Sequence, residues 1–420
     1  MGEMDTTAPE QSKVAAALIV ALATTIPLAT GFVLWSSPGG EDDWNRRVAF
    51  APFELVLLLV VLWTAPRWRS VGELFARRSV AIVCTCFGAI ALASFLANPS
   101  PLGVAWGFHL IAGVCVIATI GIAGEYPTTR LAVLVAITAV GIFQALLALA
   151  QSINAKSFGI DFIDFGGPLY PFGSSFAGRG GLTHPYHLAV VLVVAQGAAL
   201  LGLRYTSGST RSQVPWLVAL AVLGSGIGVT YTRAGAIGQV GLVLCLALGR
   251  SDKRIMRLAA ASVVVGLASS ALLFGNGWVA KSEQSVGKGT ASAGSDRSVR
   301  LQEARELIEA NPVLGVGPGR YVDALAETPR KEYLPAHNLI AHQSAELGIV
   351  GGVLTIGLLV LFGLRVLKAG AWTLAVVIPM LPFLAFDAYP YVFATGLATT
   401  AIWLGLSRLS WQQEICGDHQ

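Results

Sequence analysis

The stretch Asn311–Gly352, NPVLGVGPGRYVDALAETPRKEYLPAHNLIAHQSAELGIVGG, is polar, punctuated by glycine and carries two histidines. Apolar runs lie upstream and downstream of it, each close to the roughly 20 residues a helix needs to cross a bilayer. A polar segment with such neighbours reads as a loop at the mouth of a helical bundle, and that reading decides the fold class. Just upstream, Arg297–Ala310 (RSVRLQEARELIEA) has helical spacing and stops at Asn311-Pro312, because the residue before proline is driven out of helical geometry.

The rest of the chain agrees. Of 420 residues, 54% are hydrophobic and only 12% charged, with a mean hydropathy of +0.67; a soluble domain carries about 25% charge. The apolar runs are continuous rather than alternating, which excludes a β-barrel and predicts an all-α polytopic membrane protein in one membrane domain spanning residues 1–420. Twelve spans are expected, at 14–35, 48–65, 79–96, 103–123, 131–152, 187–203, 214–231, 234–249, 255–274, 342–363, 371–387 and 390–407. Residues 1–13 read as a polar tail, and the run after them is too long for a signal-peptide core. The net charge of +4 suggests no bound nucleic acid. None of the five cysteines falls in a large polar loop, so no disulfides are expected.

Lys and Arg in the short loops set the orientation. Fifteen fall on one side, Arg67, Arg130, Arg254 and Arg408 among them, against five (Arg46, Arg47, Lys156, Arg179, Arg233) on the other. Both termini are therefore expected to be cytoplasmic. Two long loops, 153–186 and 275–341, are expected to face outward, the second containing short helices. Residues 281–296 (KSEQSVGKGTASAGSD) read as a flexible lead-in to the helix that follows.

Ionisable residues at this outer face are the candidates for chemistry. Helical phase places Arg297 on a stripe with Leu301, Ala304 and Ile308, with Arg300 at its border and Glu303, Glu306 and Glu309 facing water. An inward arginine is costly unless it meets an anion. Arg233 stands at the outer end of two helices joined almost without a loop, against the charge bias, as a fixed cation suited to a phosphate. Arg179 opens the segment RGGLTHPYH, where glycines allow close backbone approach; His184 and His187 lack an obvious third ligand, so no metal is expected there. His337-Asn338 precedes a span, and a histidine can take a proton from a hydroxyl. His342 and Glu346, four apart, are placed to hydrogen-bond along one face behind it, and Asp387, beside Tyr389 and Tyr391, borders the same outer side. Glu54 and His109 are further ionisable residues within spans. Gly315-Val-Gly-Pro-Gly319 follows no strand and precedes no Gly-Lys-Ser/Thr, so a nucleotide loop is rejected and a tight turn expected.

Together these motifs resemble the O-antigen ligase and O-antigen polymerase family of bacterial envelope glycosyltransferases. The matching run, about 220–355, includes Thr232-Arg233-Ala-Gly, Arg297 with Ala304 and Leu307-Ile308, Asn311-Pro-Val-Leu-Gly-Val-Gly-Pro-Gly319, His337-Asn338 and Glu346-Leu-Gly-Ile-Val-Gly351. Two departures stand out: Tyr186 occupies the position where the family's entry motif usually has Asn, and an aromatic expected near Leu301 is absent.

The resemblance implies a GT-C-like ligase or polymerase architecture in the bacterial inner membrane, with the active site facing outward. It implies a donor glycan on undecaprenyl diphosphate and an acceptor that is a glycan, lipid or protein hydroxyl. In that picture Arg233 and Arg297, with Arg300, Arg179 and Asn338, hold the substrate, and His337 is the base. His342, Glu346 and Asp387 support it, transfer proceeds with inversion, and neither metal nor cofactor is required. The alternative class is a multi-pass transporter, which would show midplane polar sites on interrupted helices and matched halves.

Overall fold

The computed structural model describes residues 8–28, 32–37, 46–160, 169–206, 208–249, 252–287, 289–327, 334–386 and 389–417, with side chains described except at 32, 284–297 and 413–417. The chain is helical nearly throughout. In order, the helices are α1 (Ala8–Thr25), α2 (Pro52–Thr64), α3 (Trp68–Gly72), α4 (Arg78–Ala97), α5 (Pro101–Ala123), α6 (Pro127–Asn154), α7 (Pro185–Tyr205), α8 (Thr210–Gly228) and α9 (Arg233–Leu248). There follow α10 (Lys253–Gly287), α11 (Gly289–Ala310), α12 (Tyr321–Ala326), α13 (Leu339–Ala369), α14 (Ala371–Val377), α15 (Leu381–Phe386), α16 (Tyr389–Val392) and α17 (Ala394–Gly417).

Among the described residues, seven helices are long and apolar enough to cross a membrane: α4, α5, α6, α7, α10, α13 and the α2–α3 segment from Pro52 to Phe75. The expected spans fall largely on helix, but the first reaches into a strand and the second, 48–65, begins in one. The end of the first span lies in strand β1 (Phe32–Ser36), which pairs antiparallel with β2 (Arg47–Phe50), where the second span starts. Helix α9, at 16 residues, and the α14–α15 segment are apolar but shorter.

Proline starts many of these helices. Pro52, Pro101, Pro127 and Pro185 sit at the first turns of α2, α5, α6 and α7, where a missing N–H costs nothing and the fixed φ suits helix entry. Helix α7 forms the centre of the bundle. Every residue from Leu188 to Leu203 is buried, against α6, α8, α14 and α17. Close approach depends on small residues: a side chain at Gly141 would overlap Ala195, and one at Gly202 would overlap the Trp216 ring. Gln196 of α7 and Gln239 of α9 exchange side-chain amide hydrogen bonds at 3.0 and 2.8 Å. Paired this way, two buried amides tie the helices together without leaving a polar group unsatisfied.

Two departures from the expected pattern shape the site. Helix α10 runs through a kink at Phe274 and continues to Gly287, and α11 begins at Gly289. The segment 281–296 is thus helical where it is described, not a flexible lead-in. Helix α13 breaks at Gly348 (φ 75°, ψ 177°), leaving a short helix, 339–347, joined to a long apolar one. The turn Gly315–Gly319, with all three glycines at positive φ, docks into this break. Val316 and Gly317 donate to the carbonyls of Ala345 and Glu346 at 2.9 and 3.0 Å, Ser94 Oγ also donates to Glu346 O, and Ile349 donates to Pro312 O. The carbonyls freed by the break therefore find donors within the protein, as non-helical backbone in a bundle must.

Candidate active site

One wall of the site is built on the N-terminal part of α13, before its break at Gly348. Asn338 is the N-cap, its Oδ1 accepting from Ala341 N–H at 3.0 Å, which places His337 immediately before the helix. Much of Asn338's polar capacity is therefore spent on capping. His342 and Glu346 pair as their spacing predicts, Nε2 to Oε1 at 3.3 Å, with both side chains buried. The same Oε1 accepts from the Tyr321 backbone N–H, and the Tyr321 ring stacks on His342 with centroids 4.7 Å apart. Tyr391 of α16 packs against His342 from another side and donates to the Ala336 carbonyl at 2.8 Å, holding the segment that carries His337.

Helix α11 packs on this wall with a different face from the one expected. Arg300 and Glu303 are 5% and 4% exposed, whereas Leu301 is 49% exposed. The buried stripe is Arg300, Glu303 and Ala304, with Leu307 and Ile308 partly buried beside it. Arg300 Nη1 reaches Glu303 Oε2 at 3.1 Å, and its backbone carbonyl accepts from Tyr321 Oη. The ion pair lets two charged groups enter where phase analysis placed Leu301. The side chain of Arg297 and the whole of Asp387 lie outside the described residues.

The second wall comes from the start of α7, the α8–α9 turn and the far end of α10. Arg179 is 5% exposed, and its backbone is clamped: Arg179 and Gly180 both donate to Gln151 Oε1, at 3.0 and 2.9 Å, while Gln151 Nε2 donates back to Gly180 O. Gly181 donates to Gln144 Oε1 at 2.7 Å. Gly180 holds a left-handed conformation (φ 59°) with Gln144 packed where a side chain would stand.

His184 caps α7, its Nδ1 accepting from Tyr186 N–H at 3.1 Å. Burial, followed by the positive charges of Lys281 and Arg179 and the influence of His337, pushes its imidazole down to about 4. It is therefore neutral at physiological pH, with the proton on Nε2. Arg233, the first residue of α9, is exposed and lies within electrostatic reach of Lys281. Lys281 Nζ donates to the Tyr231 carbonyl and lies over the faces of Phe172, at 4.6 Å, and Tyr186, at 6.0 Å. Phe172 belongs to a hairpin of β3 (Tyr170–Phe172) and β4 (Ser175–Ala177).

His337 lies within electrostatic reach of His184, and α16 contacts both sides. Tyr389 stacks on His187 at 4.0 Å and 17°, while Tyr391, two residues on, holds Ala336. Arg179, Lys281 and His337 thus all lie within electrostatic reach of His184, and Arg233 within reach of Lys281, while His342, Glu346 and Arg300 pack with Tyr321 on the α13 side. Lys281 was missed from sequence, where it opens what reads as a polar linker. The signal that reveals it is non-local, since it depends on how far α10 continues past its kink.

A separate cavity of about 760 Å³ opens between β2 and the ends of α2, α4 and α5. Its walls are mainly apolar, including Phe50, Leu58, Phe95 and Phe108, and it holds Glu54 and His109, whose carboxylate and Nε2 are 3.5 Å apart. No residue of the cationic cluster lines it.

Fold and composition define a polytopic, largely helical membrane protein. Residues 217–356, a third of the chain, match the family model Wzy_C, O-antigen ligase. The chain matches no curated protein and no solved structure.

Proposed function

We propose that this protein moves a glycan from undecaprenyl diphosphate to an acceptor hydroxyl at the outer face of the bacterial inner membrane. In this reading the chain crosses the bilayer twelve times, both termini are cytoplasmic, and the two walls form one outward-facing cavity. The arrangement that carries the reading is Arg179 and Lys281 near the N-cap His184 of α7, with His337 within electrostatic reach of His184 and Arg233 within reach of Lys281.

The chemistry follows from the residue types. Guanidinium groups hold a diphosphate and neutralise the charge that grows on it as it leaves. His337 takes the proton from the acceptor hydroxyl. The hydroxyl oxygen attacks the anomeric carbon from the face opposite the phosphate, the carbon–oxygen bond to phosphate breaks, and its electron pair leaves with the diphosphate. The configuration inverts, and no metal takes part. A positioned base supplies roughly 10²–10⁴-fold in rate. Asn338 fixes the helix start from which His337 projects, and the His342–Glu346 pair, with Tyr321 and Tyr391, fixes that helix in turn.

The test is glycan transfer by the purified protein from undecaprenyl-diphosphate glycan, comparing wild type with His337→Ala and Arg233→Ala. Both variants are expected to lose at least about a hundredfold, within the range for base catalysis. Full transfer by both sinks the mechanism. The product separates the two activities of the family, since a lengthened lipid-linked chain marks a polymerase and a glycan on a new carrier marks a ligase.

A further inference from the structure

Helix α13 ends far from the candidate site. From its break at Gly348 to Arg365 it advances about 25 Å, nearly the thickness of a bilayer's hydrocarbon core. Along this stretch Val353, Ile356, Val360 and Leu364 recur at helical spacing, each exposed. Helix α4 packs against α13 and is just as peripheral, with only Ala91 and Ser94 of its residues buried. In a membrane protein such uncovered apolar helices face lipid. Arg365 therefore stands at one end of a lipid-facing pair.

Its guanidinium lies over the Trp411 ring of α17, 3.4 Å from the centroid. Arg67, Arg130 and Arg204 also lie on aromatic faces, and each of them donates to an oxygen as well. Arg67 donates to Gln11 Oε1 and the Trp63 carbonyl, Arg130 to Gly124 O at 2.8 Å, and Arg204 to Ser410 O at 3.4 Å. Among the described residues Arg365 meets neither an acceptor nor a carboxylate, although its Nε is buried. Arg408, one turn before Trp411 on α17, has Glu73 at 3.6 Å. It and Arg77, the N-cap of α4, lie within electrostatic reach of Arg365. The tryptophan covers a flat face of the guanidinium but offers nothing to the N–H groups in its plane, and that planar fork matches phosphate geometry. We propose that Arg365 binds the phosphate of an anionic membrane lipid, at the end of the α4–α13 pair remote from His337. The flanking helices put a lipid there rather than a soluble anion, since a phosphate at their end lies at headgroup level with its chains beside them. The inference needs only a chain that spans the bilayer and is independent of the glycosyl-transfer reading.

The test titrates the full-length protein, in a neutral detergent, with phosphatidylglycerol, phosphatidylcholine and inorganic phosphate. Wild type is compared with Arg365→Gln, Arg365→Lys and, as a control, Arg67→Gln. Wild type is expected to bind phosphatidylglycerol most tightly. Losing a charge-assisted contact costs about 10- to 100-fold, so Arg365→Gln is expected to lose that much phosphatidylglycerol affinity. Arg67→Gln is expected to bind as wild type does, because the Arg67 guanidinium is already engaged by Gln11 and Trp63. Arg365→Lys keeps the charge without the fork and is expected to fall between. Should Arg365→Gln fail to fold, Arg365→Lys carries the test, with weakened phosphatidylglycerol binding expected. Unchanged affinity in the Arg365 variants overturns the inference, and so do equal losses in Arg365→Gln and Arg67→Gln, which mark a diffuse surface charge. Phosphatidylcholine or inorganic phosphate bound as tightly as phosphatidylglycerol overturns the assignment to an anionic lipid.

Discussion

Gly348 is folded directly against the backbone of Val313. A Cβ at Gly348 would overlap the Val313 carbonyl, and its φ of 75° lies where L side chains are strained. This one contact sets the break in α13, seats the Gly315–Gly319 turn, and fixes the short helix that begins after His337. Gly348→Ala is therefore expected to destabilise by at least about 1–3 kcal/mol from backbone strain alone, with overlap added. Thermal unfolding in detergent checks this, and an unchanged melting temperature contradicts the tight seat described here. Transfer activity is expected to fall as well, because the His337 segment loses its support.

The Arg300–Glu303 pair separates a structural role from a binding one. Both groups are buried, and a guanidinium deprived of its carboxylate in such a place costs about 3–5 kcal/mol. Glu303→Ala is expected to lower stability by that order. The double variant Arg300→Met, Glu303→Leu removes both charges and is expected to recover most of the loss. Its transfer rate then reports on Arg300 directly: a stable protein with normal turnover shows that Arg300 serves the fold, and a stable protein with raised donor KM shows that it also meets the donor.

Much of this was legible in the sequence for local reasons. Apolar runs marked the helices, and the four-residue spacing of His342 and Glu346 predicted their pair. Glycines at 315, 317 and 319 predicted a turn, and the turn is there. What escaped was non-local. Phase analysis sends charge to water and leucine inward, so it placed Leu301 inside and Glu303 outside. An ion pair can be buried at a cost its mutual attraction repays in part, and that reverses the order. The β1–β2 hairpin was hidden for a related reason, since Phe32–Ser36 continues an apolar run and only its pairing with Arg47–Phe50 makes it a strand. Lys281 reads as the first residue of a linker until the course of α10 is known.

Glu54 does two things at once in a nearly closed position. It accepts from the Ala51 N–H at the start of α2, and it faces His109 Nε2 at 3.5 Å. His109 Nδ1 lies 2.7 Å from the Ala105 carbonyl, which only accepts, so the ring proton sits on Nδ1. Glu54→Gln keeps the cap acceptor and supplies an amide N–H to Nε2, and is expected to stay close to wild-type stability. Glu54→Ala removes both contacts and leaves His109 facing an apolar cavity, at an expected cost of about 2–4 kcal/mol from an orphaned buried polar group and a lost cap. Equal melting temperatures for the two variants contradict the assigned contacts.

His184 gives the site an acid limit. Its folded-state value of about 4 lies below the ordinary histidine value of 6.5, so between these the unfolded chain binds a proton that the folded protein refuses. Stability therefore rises with pH across that window, is complete above about 6.5, and is lost progressively as pH falls toward 4. Protonation also removes the Nδ1 lone pair that caps Tyr186 N–H, and it adds a charge beside Lys281 and Arg179. His184→Asn keeps a capping oxygen without a titrating group, since Asn is a favoured N-cap. The variant is expected to match wild type at pH 7.5 and to lose less stability on acidification to pH 5. Melting curves at several pH values decide the matter, and parallel losses in the two proteins would mean that His184 is not the group that limits the fold in acid.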